Sequence, residues 1–143
     1  MKKLLYVFIA LFTMHFGFAQ TSEDAKTYVK NMGIKEQLDE TKKEILPGIL
    51  EKNVTDFTKE FDGVVTDFIS SLENLTNEAF STEALKKFNK SVAESETPEL
   101  MAPKDPVAFE QNVNTLEENL GLSLQGIVIK YADPAFLEEL DQE

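Results

Sequence analysis

The chain has 143 residues, enough for one modest domain, and carries 14 basic against 26 acidic side chains for a net charge of −12. All the cations are lysines, paired only at Lys2-Lys3, Lys42-Lys43 and Lys86-Lys87, so no basic face is assembled and nucleic acid is not expected as a partner. There is no Cys and no Trp, and the one His is His15, which argues against disulfides, thiolate nucleophiles and most zinc or hydrolase constellations. No cofactor is expected.

The first nineteen residues, MKKLLYVFIALFTMHFGFA, place two lysines before an apolar run and small residues before Gln20. This three-part layout is that of a secretory signal peptide, with cleavage after Ala19. The run from Leu4 to Leu11 is short of the roughly 20 apolar residues a spanning helix needs, and Thr13, His15 and Gly17 interrupt its continuation. No Cys follows it, so a lipoprotein anchor is not expected, and no second span appears. Removal of residues 1–19 would leave a single domain, 20–143, with 12 lysines against 26 acids, in the periplasm or outside the cell.

Helical spacing dominates residues 20–143. Ala25, Tyr28, Val29 and Met32 recur at i, i+3, i+4 and i+7 behind a Thr21 or Ser22 cap, and Gly33 suits a left-handed helix end. Ile34, Leu38, Ile45, Ile49 and Leu50 continue at helical spacing as a second helix, which ends or kinks at Pro47-Gly48. A third, of about 22 residues, starts at Val54 and bears Phe57, Phe61, Val64, Val65, Phe68, Leu72 and Leu75 on one stripe. It contains the tetrapeptide VTDF twice, eleven residues apart. Eleven residues is close to three turns, so the copies project within about 20° of one another, about 16 Å apart along the axis. The repeat therefore reads as the period of a buried face. It is not a calcium loop, since Thr58 and Ile69 occupy the first and last ligand positions relative to Gly63.

Ser81 caps a fourth helix with Leu85, Phe88 and Val92 on its inner side. The segment from Glu94 to Pro106 holds three prolines and is the main loop, with room for a short turn at Thr97-Pro98-Glu99. Asp105-Pro106 supplies the cap and first-turn proline of a fifth helix through Phe109, Val113, Leu116, Leu120, Leu124, Ile127 and Tyr131, and Asp133-Pro134 does the same for an end helix to Leu140. The stretch LSLQGIVIKY, 122–131, also alternates like a strand, but no partner strand is evident, and helix is the reading adopted. The fold class is all-α: a helical bundle of about five to six helices.

Two segments resemble the bacterial domain of unknown function 2059 family of small exported helical proteins. YVKNMGIKEQLDETKKEILPGI, from Tyr28 to Ile49, is similar to the family's opening: a helix ending in Met32-Gly33, then Gln37-Leu38 and a Leu46-Pro47 pair. FSTEALKKFNKSVAE, from Phe80 to Glu94, is similar to its later signature. The chain departs from the family at Val92 and Glu94, where Pro and Gly are usual. The resemblance implies a helical fold and export, and no activity.

Carboxylates are the only abundant chemical groups. Glu117-Glu118 and Glu138-Glu139 diverge on a helix, while Glu36-Glu40 and Glu40-Glu44 share a face, and all are read as solvated surface. Asn-x-Ser/Thr triplets at Asn53, Asn74 and Asn89 are short enough to arise by chance. A helical bundle can also leave a groove for an apolar small molecule or a partner protein, and Phe57, Phe61, Phe68, Met101 and Phe109 are candidate linings. The same phenylalanines are what a domain of this size needs for its core, which is the simpler account. The expected role is thus an exported binding or envelope-associated module. The alternative is a carboxylate-dependent hydrolase of the periplasm, which requires a buried acid in a pocket.

Overall fold

The computed structural model describes residues 22–95, 97 and 102–143; the segment 1–19, Met101 and the Pro98-Glu99 turn lie outside them. Among these residues six helices follow in order: α1 (Ser22–Asn31), α2 (Ile34–Ile45), α3 (Val54–Ala79), α4 (Thr82–Ala93), α5 (Pro106–Tyr131) and α6 (Pro134–Gln142). Two 3-10 turns, Leu46–Gly48 and Glu51–Asn53, join α2 to α3. Among the described residues there is no strand, only an isolated antiparallel bridge between Ile49 and Ala132.

Local chemistry sets most boundaries. Gly33, with φ of 70°, takes the left-handed conformation that closes α1 and opens α2. Carboxylate or hydroxyl oxygens of Ser81, Asp105 and Asp133 accept from the backbone N–H groups of Ala84, Ala108 and Ala135 at 3.2, 3.1 and 2.9 Å. Pro106 and Pro134 then fill first-turn positions that need no N–H donor. Residues 122–131 are helical: Leu124, Ile127, Val128 and Tyr131 are buried while Leu122 and Ile129 face out, a helical and not an alternating pattern.

α3 is longer than its apolar stripe suggests, 26 residues instead of about 22. Thr76 is buried in its last turns, and the helix stops only where Phe80 turns extended at φ −130°, ψ 157°. Phe80 meets the Phe109 ring edge-on at 5.2 Å, and Lys104 N–H donates to the Ala79 carbonyl at 2.9 Å, so α5 fixes that end of α3. α3 and α5 run antiparallel and form the most extensive helix contact among the described elements. α1 lies against α3 and α4, and α2 against α3. The VTDF copies behave as a face period: Phe57, Val65 and Phe68 are buried and Val54 half-buried, whereas Thr55, Asp56, Thr66 and Asp67 are exposed.

The Pro47-Gly48 corner docks the end of the chain. Asp133 N–H donates to the Gly48 carbonyl at 2.9 Å, and the Tyr131 carbonyl accepts from Leu50 N–H at 3.2 Å and Asn53 Nδ2 at 3.3 Å. The Phe136 ring of α6 lies directly over Gly48, where a Cβ would overlap it. Glycine is required here for close approach.

Phe61 is fully buried at the middle of the α3 stripe, 5.6 Å from the Phe57 ring. Phe61→Ala is expected to cost about 3–5 kcal/mol through lost burial and the cavity left behind. Thermal melts of wild type and variant check this; a loss below about 1 kcal/mol, typical of surface changes, would contradict the packing described.

Candidate functional site: the outer groove between α3 and α5

On the side of the α3/α5 pair away from its core, two depressions of about 250 and 450 Å³ share Val64, Asp67 and Ser123 and so form one trough. On α3 it is lined by Glu60, Gly63, Val64, Asp67, Phe68 and Ser71; on α5 by Leu116, Asn119, Leu120, Ser123, Gly126, Ile127 and Lys130. The α5 positions from Leu116 to Lys130 span about 21 Å at 1.5 Å per residue. Val64, Phe68, Leu116, Leu120 and Ile127 give the trough an apolar floor, and its walls are kept low by small residues. A Cβ added at Gly63 or at Gly126 would meet nothing within 4 Å, so both glycines open onto free space. Next to Gly126 on α5, Leu122 and Ile129 are 57% and 46% exposed, two of the three most exposed large apolar side chains among the described residues.

The ends of the trough differ in charge. Near the C-terminus of α5, Glu60 Oε1 accepts from Lys130 Nζ at 2.7 Å and from the Tyr131 hydroxyl at 2.5 Å. These bonds, the lysine's first, hold the Glu60 carboxyl below its ordinary range, and the bond to Glu60 raises Lys130. Lys130 Nζ also lies 4.8 Å from the Tyr131 ring centroid. Asp67, midway along the trough, is exposed and makes no hydrogen bond or ion pair among the described residues.

Of the phenylalanines singled out in the sequence, Phe57 and Phe61 are wholly inside the core. Phe68 contributes to the floor of the trough, and Phe109 borders a separate shallow depression of about 160 Å³ with Leu75, Ala79 and Lys104. The five candidates therefore do not share one groove among the described residues, and Met101 lies outside these. Periodicity identified the buried stripe but not the trough, whose walls are glycines, serines and an asparagine with no apolar signal of their own.

Glu117 corrects the reading of the acidic pairs as solvated. It is 4% exposed and its Oε1 has no hydrogen-bond partner among the described residues, while Glu118 beside it is exposed. The cause is position: Val113, Glu117, Leu120, Gly121 and Leu124 all fall on the buried arc of α5. Burial alone pushes its carboxyl up to about 7; no charged neighbour contributes. It lines neither part of the trough. Among the described residues no group of acidic or histidine side chains is arranged to hold a metal ion, and no helix is long and apolar enough to cross a membrane.

A carboxyl raised in the folded state favours folding when protonated. The contribution is complete below the unfolded value of 4.5 and is lost as pH rises through about 7. It is on the order of 3 kcal/mol. Wild-type melting temperature is thus expected to fall between pH 5 and 8, and Glu117→Gln to flatten this dependence and melt higher at pH 8. Calorimetry across that range checks both. Glu60, shifted downward, acts in the opposite sense and only in more acidic solution.

No protein-family model, curated protein or solved structure matches this chain. The resemblance to the domain of unknown function 2059 family rests on the segments 28–49 and 80–94 alone.

Proposed function

We propose that the protein is an exported helical binding module, and that the trough between α3 and α5 receives its partner. The observation that carries this reading is an open furrow between two long helices, in which Val64 and Leu116 are half-buried above the buried Phe68, Leu120 and Ile127, with Leu122 and Ile129 extending exposed apolar surface over the lip of α5. Contiguous exposed apolar surface rimmed by polar groups is the usual mark of an interaction site. Hydrolysis draws less support. The carboxylates in the trough are a glutamate committed to Lys130 and Tyr131 and an exposed aspartate, and Glu117, the one acid among the described residues whose pKa is raised, stands apart from both.

Gly126→Phe is expected to fill the trough without disturbing the fold, because its side chain grows into open space. Fluorescence of the apolar probe N-phenyl-1-naphthylamine should rise with wild type and respond at least about tenfold more weakly with the variant, the scale of obstructing an apolar anchor site. Equal responses, or none from wild type, would remove the trough from consideration. Circular dichroism confirms that both are folded.

Export rests on the lysine-led apolar leader. Cell fractionation followed by N-terminal sequencing is expected to find a chain starting at Gln20 outside the inner membrane; a full-length chain retained in that membrane would overturn it.

A further inference from the structure

We infer that the trough selects a basic amphipathic helix. The inference rests on the binding role proposed above and adds the chemistry of the partner. Shape comes first. The trough runs along α5 for about 21 Å by helix rise from Leu116 to Lys130, which matches about four turns of a partner helix. A compact small molecule would leave most of that floor uncovered, whereas bound ligands of that kind are usually enclosed over 70–90% of their surface. The apolar positions Leu122 and Ile129, seven residues apart with Gly126 between them, extend the floor sideways along α5. A helix laid across Gly126 could cover trough and lip together, its apolar side chains recurring at i, i+3, i+4 and i+7.

Charge comes second. Asp67 stands unpaired among the described residues at the centre, shared by both halves of the trough. Lys130, the cation at one end, is already committed to Glu60. An incoming helix therefore meets one free negative charge and no free positive charge among the residues lining the trough, set in a chain of net charge −12. A Lys or Arg at the edge of the partner's apolar stripe would pair with Asp67, while an acidic residue there would be repelled. The same reasoning disfavours a second copy of this chain, whose exposed α5 lip is flanked by Glu118 and carries the same acidic excess.

The test uses protein purified as the cell processes it and two dye-labelled 15-residue helical peptides. One is built of Leu and Lys, the other of Leu and Glu with the same apolar pattern. Fluorescence anisotropy at about 0.15 M salt, where long-range attraction is largely screened, is expected to show binding of the lysine peptide and none of the glutamate peptide. Asp67→Asn should weaken the lysine peptide about threefold to tenfold, and Glu44→Gln, an equal change of charge on the exposed face of α2, should leave it unchanged. Equal weakening by the two variants would mean general attraction to an acidic protein and would overturn the inference. If both peptides bind and Gly126→Phe blocks both, the trough remains a binding site but its selection for basic helices fails. If the lysine peptide binds regardless of Gly126→Phe, the trough itself is not the site. Sedimentation showing a dimer that Gly126→Phe dissolves would assign the trough to a second copy instead.

Discussion

The antiparallel packing of α3 on α5 places nearly everything else, because each is 26 residues long and the two meet along most of that length. At 1.5 Å per residue each helix runs about 39 Å, so a single contact line organises the domain from end to end. Phe57, Phe61, Val65, Phe68 and Leu72 supply one side of the core, and Val113, Leu120, Leu124 and Val128 lie on the other. The shorter helices depend on this pair: α1 and α2 lie against α3, while α6 is held through the Gly48 corner and the last turn of α5. That corner works because Tyr131 acts at both of its ends. Its carbonyl ties the 50–53 segment and its hydroxyl reaches Glu60.

The same pairing creates the trough. Two cylinders in contact always leave a furrow on each side; one is filled by core residues, and the other stays open unless large side chains occupy it. Gly63, Ser71, Ser123 and Gly126 do not. Larger residues would cover the half-buried Val64 and Leu116 and bury more apolar area, so a sequence shaped for stability alone would be expected to fill these positions. Glycine inside a helix also costs roughly 0.5–1 kcal/mol relative to alanine. Two such glycines facing the same open space are consistent with a surface kept clear for contact.

Glu117 is the other departure from consistent design. A carboxyl on the buried arc of α5 whose Oε1 has no hydrogen-bond partner among the described residues loses hydration there without compensation, and it accommodates by favouring its neutral form. Departures of this kind tend to mark function or strain. Here the acid and the trough occupy different sides of α5, so the helix carries a pH-sensitive interior face and an exposed apolar one.

The element order was readable in the sequence because the signals that set it act within two or three residues. Ser81, Asp105 and Asp133 cap through bonds to N–H groups two or three positions on, Gly33 turns on its own φ, and the eleven-residue VTDF repeat maps onto a buried face by helix geometry alone. Which residues far apart in the chain face one another could not be read there. The last turns of α3 persist because Phe80 and Lys104 anchor them to the start of α5, and Gly48 must be bare because Phe136, 88 positions later, lies on it. Glu117 reads as surface beside Glu118 until the rotation of α5 against its neighbours is known. The trough belongs to the same class: Gly63, Ser71, Asn119, Ser123 and Gly126 carry no apolar signal in the sequence, Val64, Phe68, Leu116, Leu120 and Ile127 read there only as helix core, and the antiparallel register of α3 and α5 turns them into one groove.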